Sequence, residues 1–201
     1  MDIIYENENI IALNKPAGVN FDWALEFRHD LITVHRLDKE TSGVILFAKN
    51  KAWAEHLKKL FETRQVKKIY YALVAGSVKK SSDTITLEIG RSKRTPLKRI
   101  SVGKKIGKLR EAETYYEVEK RFKNFTLLRV MPKTGRTHQI RSHLAAIHHP
   151  VVCDKLYGGK KPVCPAGLQR QFLHAFSIEF EGLKLESDFP EDLKKTLDML
   201  K

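Results

Sequence analysis

Short apolar blocks separated by polar turns run the length of the chain, and their spacing switches between the strand and helix periods. Residues 2–5 and 9–13 predict two short strands divided by a polar turn, and Lys15-Pro16-Ala17-Gly18 ends the second. Residues 44–48 (VILFA) are continuously apolar, the pattern of a strand buried on both faces. Asn50 suits the N-cap of a helix over about 51–64, with Trp53, Leu57, Leu60 and Phe61 on one face. Residues 69–75 and 84–89 read as strands, as do about 112–119, 125–130 and 172–180. Thr137 to Ala146 predicts a helix capped by Thr137, with Ile140, Leu144 and Ile147 on its apolar face. A last helix starts near Pro190, a residue suited to a first helical turn, and carries the stripe Leu193, Leu197 and Leu200. Strands and helices mix without strict alternation. The expected class is therefore α+β: a single domain over residues 1–201, with a mixed, largely antiparallel sheet flanked by helices.

Charge narrows this picture. The chain has 201 residues, with 37 Lys and Arg against 24 Asp and Glu, a formal net charge of +13 that favours polyanionic partners. The excess is concentrated between Arg91 and Arg110, which holds nine basic residues, Lys98 and Arg99 among them, and no acidic one. Uncompensated like charges repel unless a polyanion arrives, so this segment is expected to be an arm that lies on phosphates. No apolar run approaches the roughly 20 residues of a membrane span, and no signal peptide is evident, so a cytoplasmic location is expected. Cys153 and Cys164 have neither CxxC spacing nor a second ligand pair. They read as ordinary small thiols, and no metal site is expected.

Two polar stretches carry candidate chemistry. The first, Val34-His35-Arg36-Leu37-Asp38-Lys39-Glu40-Thr41-Ser42-Gly43, crowds charges into a loop that feeds the buried strand. It suits a turn in which Asp38 accepts hydrogen bonds, and it equally suits an active-site loop. The second runs from Lys133 to Leu144. There Gly135 makes a turn before the helix, while Arg136 and Arg141 flank a helix N-terminus suited to a phosphate or a carboxylate. His138 and Gln139 fall outside the apolar stripe, and a polar surface role is expected for them.

The segment His35-Arg36-Leu37-Asp38-x-x-Thr41-Ser42-Gly43 resembles the signature of the RluA-type pseudouridine synthases. Asn14-Lys15-Pro16-Ala17-Gly18 resembles that family's N-terminal KPxG motif, and Lys68-Ile69-Tyr70-Tyr71-Ala72 its K-x-Y-x-A strand. Thr134-Gly135-Arg136-Thr137-His138-Gln139-Ile140-Arg141 resembles its C-terminal block, followed by Asp154, Tyr157-Gly158 and Leu173-His174-Ala175. The match spans about residues 3 to 190 and begins at the catalytic domain, without the S4-like module of many relatives. It implies a central RNA-binding cleft and isomerisation of uridine in structured ribosomal or transfer RNA, by a monomer. Asp38 matches the catalytic aspartate, Arg141 the arginine that pairs with it, and Tyr70 the tyrosine lying against the target base. Arg36 takes the place of a residue that displaces the target nucleotide. His35, Arg136, His138 and Lys68, with Lys98 and Arg99 of the arm, are expected on the RNA, and Ile140 or Leu144 on the pocket wall.

The implied reaction breaks the bond from ribose to the base nitrogen, turns the uracil and joins ribose to C5. It has no redox change and no net hydrolysis, so no cofactor is expected. A carboxylate at the sugar acts as nucleophile or as base, and both routes remain open. Base release by the same carboxylate, RNA binding without catalysis and a purely structural ribosome-associated role are the competing readings.

Overall fold

The computed structural model describes residues 2–95, 97–102 and 105–200. In chain order the elements are β1 (Ile3–Glu6), β2 (Ile10–Lys15), a 3-10 turn (Trp23–Glu26), β3 (Ile32–Thr33), β4 (Ser42–Ala48), α1 (Lys51–Glu62) and β5 (Lys67–Ala75). They continue with β6 (Ser82–Thr86), β7 (Ile89–Ser92), β8 (Arg99–Ile100), β9 (Lys105–Arg110), β10 (Glu113–Arg121), β11 (Phe125–Pro132) and α2 (Gln139–Ala146). The last are β12 (Leu173–Phe180), β13 (Leu183–Glu186) and α3 (Glu191–Met199). The class is α+β with a mixed, mostly antiparallel sheet and helices against it. Among the described residues no helix is long and apolar enough to cross a membrane.

The chain forms two compact units. The first runs to Ile69 and takes up His174–Phe189; the second comprises Tyr70–Leu173 and the segment from Pro190. Each has its own core.

In the first unit β4 is buried along its whole length, as its unbroken apolar run requires. It pairs antiparallel with β2 and β3 and parallel with β12, which makes the sheet mixed. Leu57 and Leu60 of α1 close this core with Val44, Leu46 and Ile178. The Asn50 side chain accepts the Trp53 N–H at 3.0 Å, the cap that the sequence predicts. Gly43 stands opposite Ala175 with φ +115°, and a Cβ there would collide with the Ala175 carbonyl oxygen. Only glycine allows the two strands to approach this closely directly after the Asp38 loop.

The second unit is built on the antiparallel order β5-β11-β10-β6, with β8-β7-β9 as a separate three-stranded sheet. The single strand expected over 84–89 is divided. Ile85 pairs with Thr114 of β10, whereas Ile89 pairs with Arg110 of β9, so the two isoleucines serve different sheets. The basic arm is thus largely folded rather than a loop. Its Lys104 lies outside the described residues. Cys153 and Cys164, read from sequence as separate thiols, are joined as a disulfide. Cys153 has φ 56°, and its N–H donates to Val163 O at 2.9 Å, which turns the two segments together.

Candidate functional site

Asp38 belongs to the first unit, in the loop between β3 and β4. Its carbonyl accepts the Thr41 N–H at 3.0 Å, closing a tight turn. The next carbonyl, that of Lys39, is held twice: by the Gly18 N–H at 3.0 Å and by Lys15 Nζ at 3.0 Å. Lys15 is fully buried and also donates to Pro16 O at 2.8 Å and Val19 O at 2.9 Å. An ammonium carries three donors, so these carbonyls use all of them and fold the Pro16–Val19 turn against the residue that follows Asp38. The KPxG motif is therefore the anchor of the Asp38 loop, a role the sequence does not reveal. The far end of the loop is fixed by the Ser42 hydroxyl and His174 Nδ1, 2.9 Å apart in the core. His174 Nε2 donates to Ser187 O at 2.9 Å, so Nδ1 must be the acceptor of the Ser42 proton.

His35 does not face outward as expected of an RNA ligand. Its Nε2 accepts the Leu46 N–H at 2.8 Å, and its ring stacks on Phe61 at 4.7 Å. Burial, reinforced by the Lys68 charge, pushes the imidazole down to about 3, which keeps it a neutral acceptor. Its work is to tie the loop to β4. Burial likewise pushes the Lys68 ammonium down to about 8. Arg36 is exposed, and its guanidinium rests 5.0 Å over the Phe21 ring.

Tyr70 and Arg141 belong to the second unit. Tyr70 packs half-buried against a core that contains Ile140 and Leu144. Leu144 is fully buried and Ile140 nearly so, and both pack behind the Tyr70 strand. The helix α2 begins at Gln139, two residues later than predicted. His138, not Thr137, is at the N-cap, with φ 56° and no side-chain cap. Gln139 explains the shift. Its Oε1 accepts from the Thr134 hydroxyl at 2.7 Å and the Arg136 N–H at 2.9 Å. Its Nε2 donates to Glu113 O at 3.0 Å and Thr114 Oγ1 at 2.9 Å. This buried amide knots the turn, and His138 beside it stands in the left-handed region. Arg136 Nε donates to Glu111 O at 3.0 Å, which directs it along the chain toward β10.

Arg141 is nearly buried, and Asp154 holds its fork: Nε donates to Oδ2 at 2.6 Å and Nη2 to Oδ1 at 2.9 Å. Asp154 Oδ1 also accepts the N–H groups of Leu156 and Tyr157 at 2.9 and 3.0 Å. A fully buried carboxylate with this many donors fixes the guanidinium plane. The Arg141 guanidinium lies 5.0 Å over the Tyr157 ring, and Lys98 Nζ lies 4.9 Å from the same ring. His138 meets that ring edge-on at 5.8 Å. Tyr157 thus gathers four of the residues that sequence marks out (Lys98, Arg99, His138 and Arg141). Neither Asp154 nor Tyr157 stood out by composition; their place after the C-terminal motif is the only signal.

A family model described as RNA pseudouridylate synthase matches residues 9–146. The chain is 33% identical to "Ribosomal large subunit pseudouridine synthase C" of Vibrio parahaemolyticus, over 97% of this chain and 68% of that protein. It is 36% identical to the protein of the same name from Haemophilus influenzae, of which it spans 61%. It is 38% identical to "Dual-specificity RNA pseudouridine synthase RluA" of Vibrio cholerae, over 90% of this chain and 77% of that protein. The solved structure "Human RNA Pseudouridylate Synthase Domain Containing 1" superposes with a TM-score of 0.80 at 28% identity, covering 97% of this chain and 86% of that one.

Proposed function

The chain belongs to the RNA pseudouridylate synthase family, whose members are isomerases acting on RNA, and from that premise we propose that it converts specific uridines of ribosomal or transfer RNA to pseudouridine, as a cytoplasmic monomer. Asp38 is the group that acts at the sugar, as nucleophile or as base. Its loop is pinned on both sides, which suits a carboxylate that must meet the anomeric carbon at one distance. Arg141 offsets the charge that develops as uracil leaves as an anion. Tyr70 offers a flat face to the base and a hydroxyl for the proton at C5.

A base inside a folded RNA must leave its stack, at a cost of a few kcal/mol that pocket contacts return. Arg36 is planar, cationic and exposed, and it fills the vacated place. Lys68, Lys98, Arg99, Arg136 and His138 add contacts to phosphate and sugar. The reaction needs no cofactor, since nothing is oxidised or reduced and no water is added.

The observation that carries this reading is the family match together with the anchored Asp38 loop. The test is incubation with undermodified total RNA, followed by carbodiimide labelling and primer extension, with Asp38→Asn in parallel. New stops at one or a few uridines, absent with the variant and with RNA mass unchanged, are expected. Stops equal to those of the variant, or a loss of uracil mass, refute the reading.

A further inference from the structure

The hydroxyl of Tyr157 has no part in the chemistry just described, yet it is one of the most heavily bonded groups in the second unit. It donates to Arg99 O at 2.7 Å and accepts the Arg99 N–H at 2.9 Å. His138 Nδ1 stands 3.1 Å away. The hydroxyl proton is spent on Arg99 O, so His138 must present Nδ1–H to the remaining lone pair. Both backbone groups of one residue of β8 are thus bonded to the Tyr157 hydroxyl, and through it linked to His138 at the start of α2. A second tie lies beside it: Ser101 Oγ and Ser142 Oγ are 2.9 Å apart and buried. β8 itself is only two residues long and pairs with β7 through Gly90 and Arg91. A strand this short holds its place poorly through the sheet alone.

The basic sheet therefore depends on side chains of α2 and of the Asp154–Tyr157 turn for its position. The same Tyr157 ring that Lys98 covers also lies under Arg141. We infer that Tyr157, aided by Ser142, is a positioning residue for RNA: it clasps the basic sheet β7–β9 to the start of α2, so that phosphates held by the sheet arrive in register with Arg141. The inference rests on the RNA-modifying function proposed above and extends it to a specific coupling of arm and site.

The coupling is tested with unmodified transcripts of transfer RNA and large-subunit ribosomal RNA carrying tritium at uracil C5, whose release reports pseudouridine formation. Tyr157→Phe keeps the ring beneath Arg141 and removes only the hydroxyl. It is expected to raise KM and weaken RNA binding about tenfold, with kcat nearly retained, since hydrogen bonds of this kind are lost one pair at a time. The slope of log affinity against log salt should flatten by about one, as a phosphate contact drops out of register. Ser142→Ala removes the second tie with little risk to folding and should shift KM in the same direction. The Tyr157→Phe effect should largely vanish when Lys98 and Arg99 are both alanine, because the clasp then positions nothing. A fall in kcat at unchanged KM, or an effect that adds fully to the arm substitutions, overturns the coupling while leaving the function intact. A wild-type chain that neither binds nor modifies either transcript overturns both.

Discussion

Arg141 and Asp154 form a two-point fork, at 2.6 and 2.9 Å, in which the carboxylate is completely shielded from water. Such a pair is worth little as a net stabiliser, but breaking it leaves a buried charge without its counterpart. It also decides where the guanidinium points.

Asp154→Asn keeps the shape and removes the charge. The expected loss is about 3 kcal/mol of stability, with a larger proportional loss of turnover because Arg141 is no longer held in one plane. Urea denaturation and tritium release measure the two separately. A variant as active as wild type would exclude Asp154 from orienting Arg141.

Lys15→Met replaces an ammonium by an apolar chain of similar length, leaving the carbonyls of Pro16 and Val19 without this donor and that of Lys39 with the Gly18 N–H. Each buried acceptor left bare costs about 1–3 kcal/mol. The Asp38 turn should loosen as well, with faster amide exchange at Thr41 and lower kcat at unchanged RNA affinity. Affinity and kcat falling together would argue against this anchoring role.

His35 introduces an acid sensitivity with a defined sign. Its imidazole is held down to about 3 by burial, whereas the unfolded chain binds a proton near pH 6.5. The unfolded state then holds more protons between these values, so stability is complete above about pH 6.5 and declines toward pH 3. His35→Gln retains an acceptor for the Leu46 N–H and does not titrate. Its denaturation midpoint should fall less steeply with acid than that of wild type; parallel curves would remove His35 as the cause.

Gly43→Ala is expected to be among the most damaging single changes. The added carbon would meet the Ala175 carbonyl oxygen and would require a positive φ that alanine avoids. A loss above about 4 kcal/mol is expected, enough to give largely insoluble protein on expression. Normal melting would mean that β4 and β12 separate without penalty.

Much of this was legible in the chain. The buried strand β4, the Asn50 cap, the two strands β10 and β11 and the stripe of α3 all follow from local periodicity and capping chemistry, which act over a few residues. The same holds for the charged turn around Asp38, whose polar residues stand next to a wholly apolar strand. The α2 boundary was misplaced because a side chain decided it: Gln139 bonds Thr134, Glu113 and Thr114, and no propensity of Thr137 competes with that many hydrogen bonds.

The sequence by itself determined the class of fold, the family and the short motifs around Asp38, Tyr70 and Arg141, since each is written in adjacent residues. Only the tertiary structure decided that Lys15 works inward on carbonyls, that His35 is a neutral acceptor in the frame, and that Asp154 and Tyr157 hold Arg141 and the basic sheet. Those partners are separated by 11 residues from His35 to Leu46, 13 from Arg141 to Asp154 and 58 from Arg99 to Tyr157. Hydrogen-bonding capacity is visible in a residue type. The partner that satisfies it is selected by burial, which forces every polar group removed from water to find the neighbour that the fold supplies.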